Sequence, residues 1–209
     1  SLPKATRAEL HEHFADWLAT QSLVEGDEIV GYHLEQAHRY RLELDVADQA
    51  LGALAGRSSA HLAAAGRGAL ERGDFMAGLT LFERAASLLP EGDERRYALA
   101  PDQCDALEET GGTAAIASIL ASVQPTTDPD VRAMVEILET RPEFIVEGGP
   151  TSEERVAKRN AARTVLEAAG HDEGLWLYWR TVGREAWFGC RAEDTTSAYE
   201  HAILHAERA

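Results

Sequence analysis

The side chains best suited to chemistry in this sequence are eight histidines, two cysteines and scattered arginines and aromatics. His11-Glu12-His13 has the residue types of a metal-activated hydrolase. A zinc-binding helix, however, needs two histidines four apart with the glutamate between them. His11 and His13 are two apart and point about 200° away from each other on a helix, so they read as a solvated face. His201 and His205 are four apart and share a face, but no nearby Cys or Asp pattern supplies further ligands. His33 and His38 diverge, and His33 reads as a packed histidine beside Leu34. Cys104 and Cys190 are far apart, form no Cys-x-x-Cys, and read as small buried residues rather than nucleophiles. Gly66-Arg67-Gly68 lies inside a helical pattern, not between a strand and a helix, and no Gly-x-x-x-x-Gly-Lys-Ser/Thr occurs, so this segment is expected to bind no ATP. Glu91-Gly92-Asp93-Glu94 sits at a turn, where acids complement a helix dipole. A calcium loop needs a denser set of alternating ligands. No catalytic residue, metal or cofactor is expected.

The elements that must position these residues are helices. The chain has 209 residues, 44% apolar, 27% charged and 7% aromatic. That excludes a disordered or collagen-like chain and allows one large domain or two small ones. With 36 acidic against 20 basic residues the net charge is -16. Such a surface repels phosphate backbones, so nucleic acid is not an expected partner. No apolar run approaches the roughly 18 residues that span a membrane. Two cysteines make no disulfide framework and point to a reducing cytosol. The opening Ser1-Leu2-Pro3, with no Met and no signal peptide, reads as a piece of a longer protein.

Apolar residues recur at spacings of three and four. The pattern predicts helices over Lys4–Thr20 (Leu10, Phe14, Trp17 and Leu18 inward), Asp27–Leu42 (Ile29, Val30, Leu34, Ala37 and Tyr40 inward) and Val46–Ala55, broken by Gly56. Helix pairs then follow: Ser58–Arg72 with Phe75–Leu89, and Glu94–Thr110 with Thr113–Val123. Pro125–Pro129 is a linker. Asp128 and Pro129 open Asp130–Thr140 as N-cap and first residue. A loop at Glu147–Pro150 precedes a capping box at Thr151 and Glu154, which opens a helix to Ala169. After a turn at Gly170–Gly174, Leu175–Phe188 pairs with Ala192–Arg208. No strand-like alternation persists, so the fold class is all-α. Residues 1–56 form an N-terminal helical segment and 57–209 a repeat domain.

The repeat is internal. Leu62, Gly66 and Ala69 on one helix are followed by Gly78, Phe82, Ala85 and the terminating Pro90 on the next. Trp179, Gly183 and Ala186, then Thr195, Tyr199 and Ala202, recur 117 positions later. Leu99, Ala106, Ala115 and Ile119 make a weaker copy, with Pro101 inside its first helix. The small residues let paired helices approach closely, and the aromatic fills the space toward the next unit. This order resembles tetratricopeptide repeats over roughly Ser58–Arg208. The resemblance implies a right-handed superhelix of helix pairs with an N-terminal helical cap. An irregular Ala-rich bundle is the alternative. A second likeness is carried by Arg7-Ala8-Glu9-Leu10-His11, Phe14-Ala15, Trp17-Leu18 and Tyr32-His33-Leu34-Glu35-Gln36-Ala37. These residues resemble the junction after the nucleotide-binding and winged-helix modules of large bacterial signal-transduction ATPases, including LuxR-type activators and adenylate-cyclase-linked ATPases. It implies that ATP binds only in an ATPase domain outside this chain and that other domains of the parent protein are partners.

In such an array the first helices line a groove. Arg67, Cys104 and Arg184 take equivalent positions there, with Tyr97, Arg180 and Trp187 nearby. Arg and Trp anchor partners, and Arg grips carboxylates with two donors. The groove would take an acidic protein segment or peptide, or a small acidic regulatory ligand. Alternatively these residues pair with the abundant Glu and Asp of neighbouring helices. The expected function is a non-enzymatic sensor or interaction arm, with a transcriptional or cyclase output from the parent protein. The alternatives are a free-standing scaffold and an all-α enzyme with His33, His38, His61 and Glu35 in one pocket.

Overall fold

A computed structural model describes residues 2–21, 26–44, 49–123, 126–141 and 151–209. All regular structure among them is helical, with no strand. The helices are α1 (Lys4–Ala19), α2 (Gly26–Leu42), α3 (Gln49–Glu71), α4 (Phe75–Ser87), α5 (Glu94–Tyr97), α6 (Ala100–Glu109), α7 (Thr113–Val123), α8 (Pro129–Glu139), α9 (Ser152–Ala169), α10 (Asp172–Phe188) and α11 (Ala192–Ala206). None is long and apolar enough to cross a membrane. The chain divides into two compact units, Ser1–Gly112 and Thr113–Ala209.

In the first unit each helix packs on the next, α1 on α2, α2 on α3 and α3 on α4, and α6 then packs on α4. The α1–α2 core is Ala15, Leu18, Val30, Leu34, Ala37 and Leu54. This corrects the expected inward face of α1. Leu10, Phe14 and Trp17 are exposed, while Ala8, Ala15 and Leu18 are buried. On α2, Val30, Leu34 and Ala37 are inward as expected, but Ile29 is exposed and Tyr40 half-buried. Small residues win the interface because they bring the two backbones together. Buried Ser58 donates its hydroxyl to the Gly31 carbonyl, 3.0 Å away, and so fixes α3 on α2. Arg84 reaches back from α4 to Glu35 on α2 with two donors, at 2.6 and 3.4 Å.

Two helix boundaries also differ from expectation. Gly56 does not end a helix; α3 runs through it. One glycine inside a helix costs only about 1 kcal/mol, and the buried neighbours Leu54, Ala55 and Ser58 hold the segment in place. Residues 56 and 57 thus both lie inside α3. The helix expected over Glu94–Thr110 is split into α5 and α6, with Pro101 in the first turn of α6. Proline lacks the N–H that a continuous helix would need there.

In the second unit α8 packs on α9 and α10, α9 on α10, and α10 on α11. Asp128 caps α8 by accepting from Asp130 and Val131. Thr151 and Glu154 form the expected capping box. Gly174 lies inside α10, whose N-cap is His171. The loop expected at Glu147–Pro150, the start of the helix expected at Val46, and Pro125 lie outside the described residues.

Four helix ends close in one way. The backbone N–H of Asp74, Gly112, His171 and Arg191 donates to the carbonyl of Ala69, Leu107, Leu166 and Ala186, at 2.7 to 3.0 Å. The residue before each donor, Gly73, Gly111, Gly170 or Cys190, has positive φ. This motif satisfies carbonyls that a helix end leaves open and turns the chain back on itself.

Candidate functional site

Arg67, Tyr97 and Cys104 belong to the first unit. Arg67 is exposed on α3, and its Nε donates to Asp102 on α6 at 2.9 Å. Tyr97 and Cys104 are buried. Of this set only Arg67 is exposed. Its Asp102 contact is the kind of pairing that the acidic composition made an alternative to partner binding.

Arg180, Arg184 and Trp187 lie together on α10 in the second unit. With Trp176 they recur at spacings of four, four and three, which places them along one side of the helix. The Arg180 guanidinium lies over the Trp176 ring, 4.6 Å from its centroid. Arg184 lies 6.0 Å from the centroid of Phe188. Trp187 and Phe188 are 69% and 61% exposed. A guanidinium over an aromatic face is attracted to the ring and packs its flat side against it.

The remainder of α10 is held by α9 and α11, and α8 packs on it as well. From α9, buried Arg159 pairs with Glu185 at 2.6 Å, and Asn160 accepts from the Tyr178 hydroxyl at 2.8 Å. Arg163 lies over the rings of Tyr178 and Trp179. From α11, His201 stacks on Trp179 at 4.4 Å and His205 meets Asp172 at 2.6 Å. His201 and His205 therefore share a helix face as their spacing predicts, and both use it to hold α10. Along the Trp176–Trp187 stripe, Trp187 is exposed and Trp176, Arg180 and Arg184 are half-buried. Trp176 was not among the sequence candidates; its four-residue spacing from Arg180 was the available signal.

The small residues expected in the paired helices sit where two helices touch. A Cβ on Gly66 would come within 2.6 Å of the Phe82 ring, and one on Gly78 within 2.7 Å of Leu70. A Cβ on Gly183 would come within 3.1 Å of the Tyr199 ring. Leu62, Ala69, Phe82 and Ala85 are buried, as are Ala186 and Ala202, while Trp179 is half-buried and Pro90 exposed after the end of α4.

A second cluster joins α1 and α2. The Nδ1 atoms of His11 and His33 are 2.8 Å apart. Phe14 and Tyr32 set their ring faces edge-on to His33 at 4.7 and 5.3 Å. Burial holds both imidazoles below the usual histidine range, helped by the Arg39 charge at His11 and by His11 itself at His33. Burial also lowers His38. Sequence reading weighed His11 against His13, set them on diverging sides of the helix, and missed this contact, which spans 22 residues. Of the groups considered for an enzyme pocket, His33 meets His11, His61 meets Asp27 at 2.7 Å, and Glu35 meets Arg84. Among the described residues no three His, Cys, Asp or Glu side chains are grouped to hold a metal ion.

No protein-family model, curated protein or solved structure matches this chain.

Proposed function

We propose that this chain is a non-enzymatic interaction arm whose α10 stripe takes an acidic peptide or a small acidic ligand. In this reading the helix pairs are tetratricopeptide-like and wind as a right-handed superhelix. The arm serves a multidomain signal-transduction ATPase of the cytoplasm, with ATP bound in other domains. The observation that supports it is the stacking of Arg180 on Trp176 beside Arg184 and exposed Trp187. In a chain of net charge -16, a local cationic and aromatic stripe selects for carboxylates by charge and gains contact area from its rings. A ligand that prefers one arrangement of the arm would shift the parent protein between inactive and active states.

The test is fluorescence anisotropy with a labelled Asp/Glu-rich peptide. The wild-type chain is expected to bind it in a salt-sensitive manner. Arg180→Ala/Arg184→Ala should weaken binding at least about tenfold, which is about 1.4 kcal/mol. Wild-type binding that the double variant leaves unchanged removes the α10 reading. The ATPase link is tested separately, by reading the parent gene for a phosphate-binding loop upstream.

A further inference from the structure

We propose that the outer side of α11 docks an amphipathic helix whose apolar stripe is edged with Lys or Arg. This goes beyond the α10 reading and stands without it. The argument comes from the internal repeat. The α3–α4 and α10–α11 hairpins match in register: Gly66 faces Phe82 as Gly183 faces Tyr199, and both turns close with the same backbone bond at 2.9 Å. Position by position, Phe82 and Ala86 on α4 and Leu89 just past its end therefore correspond to Tyr199, Ile203 and Ala206 on α11.

On α4 that strip is covered. Phe82, Ala86 and Leu89 are all buried, α6 packs on α4, and Leu99 at the start of α6 joins the cluster of Phe82 and Ala86. On α11 the corresponding strip is bare: Tyr199 is 38% and Ile203 59% exposed, and Ala206 is exposed as well. The covered copy identifies the shape that fits the bare one, namely a helix offering an apolar side. The flank of the strip identifies its charge. Glu193, Glu200 and Glu207 recur every seven residues beside Thr196, Tyr199 and Ile203 and are exposed. On a helix that spacing draws an acidic line parallel to the apolar one. An open concavity of about 370 Å³, lined by Ala192, Glu193, Thr196, Ser197 and Glu200, runs along the same side. A helix in this position would seat apolar residues on Tyr199 and Ile203 and set basic residues against the acidic line. The same acids oppose each other when two copies meet through α11, so charge favours a basic partner over a second copy.

The experiment uses the 209-residue chain and two labelled synthetic helical peptides with one Leu/Ala stripe, one edged with Lys and one with Glu. Binding is read by fluorescence anisotropy. The Lys-edged peptide is expected to bind at least about tenfold more tightly than the Glu-edged one. Ile203→Glu should weaken it about tenfold, with circular dichroism unchanged because Ile203 is exposed. Glu193→Lys/Glu200→Lys should reverse the preference between the two peptides, whereas Arg180→Ala/Arg184→Ala should leave it intact. Equal binding of both peptides, or none, overturns the proposal. Concentration-dependent self-association in sedimentation, abolished by Ile203→Glu, also overturns it and assigns the face to a second copy.

Discussion

The α3–α4 and α10–α11 hairpins share a backbone design but not a burden. In both, a glycine on the first helix lies under an aromatic ring on the second, and a residue with positive φ reverses the chain. In the first hairpin the ring is Phe82, wholly buried among Leu62, Ala69, Leu81, Ala85 and Leu99. In the second it is Tyr199, more than a third exposed. The same pattern thus serves a core in one place and a surface in the other, and the energetic weight of each residue should follow the covering, not the pattern.

The largest consequence is at the rings. Phe82→Ala should cost about 3–5 kcal/mol, the range for emptying a buried aromatic site. Tyr199→Ala should cost about 1 kcal/mol, since the ring loses only part of a contact and leaves no closed cavity. Urea denaturation of the two variants measures both. Equal losses would mean that Tyr199 is as deeply enclosed in solution as Phe82, and would remove the bare strip on α11.

The glycines beneath those rings should respond with opposite signs. Gly66→Ala puts a Cβ within 2.6 Å of a ring that has nowhere to go. Overpacking of this kind costs about 1–3 kcal/mol and exceeds the roughly 1 kcal/mol that alanine gains as a helix former. Gly183→Ala meets Tyr199 at 3.1 Å, and that ring can swing toward solvent. Its effect should lie between zero and about 1 kcal/mol of stabilisation. Thermal melts of both variants test the contrast, and a destabilising Gly183→Ala would break it.

How much of this was legible beforehand depends on what each residue's role requires. Gly66, Phe82, Gly183 and Tyr199 were readable because a close helix contact demands a small residue opposite a large one at fixed spacing. The capping box at Thr151 and Glu154 and the Asp128 cap were readable because caps act within four residues. Leu10, Phe14 and Trp17 were misplaced because a stripe of large apolar residues shows that a helix has two sides without showing which one its neighbour covers. Alanines at 8 and 15 proved the better contact surface. Gly56 and Pro101 were misjudged in opposite directions: packing carried α3 through a glycine, while no packing can supply a proline N–H. Repeat register put Arg184 in line with Arg67 and Cys104, and helical spacing alone put Arg180 and Trp187 near it, whereas the His11–His33 contact depends on the pairing of two helices and leaves no local trace.

The turn residues come next in size. Gly73 and Cys190 hold the same position, with φ of 77° and 55°. An L-residue there costs about 1–2 kcal/mol in backbone strain, offset in part by the greater entropy that glycine loses on folding. Cys190→Gly should therefore stabilise by about 0.5–1 kcal/mol, and Gly73→Ala should destabilise by about 1 kcal/mol. A Cys190→Gly variant that melts lower would show that the thiol makes a contact worth more than the strain.

The smallest effect lies one residue further on, where the hairpins diverge again. Asp74 caps α4 by accepting from the Ala77 N–H at 3.1 Å, whereas Arg191 at the corresponding place offers α11 no cap. Arg191→Asp copies the first hairpin into the second and supplies a cap worth about 1 kcal/mol. Against it, the exposed Arg191–Asp194 pair at 3.0 Å is lost, at a cost of a few tenths of a kcal/mol. The new carboxylate also sits beside Glu193 and Asp194, where like charges one turn apart cost a similar amount. The cap exceeds the sum of these by a small margin, so the variant should gain about 0.3 kcal/mol in urea denaturation at moderate salt. The gain should grow as salt screens the added repulsion. A gain that shrinks with salt would mean that the helix dipole, not the hydrogen bond to the third residue, is what an aspartate contributes at this turn.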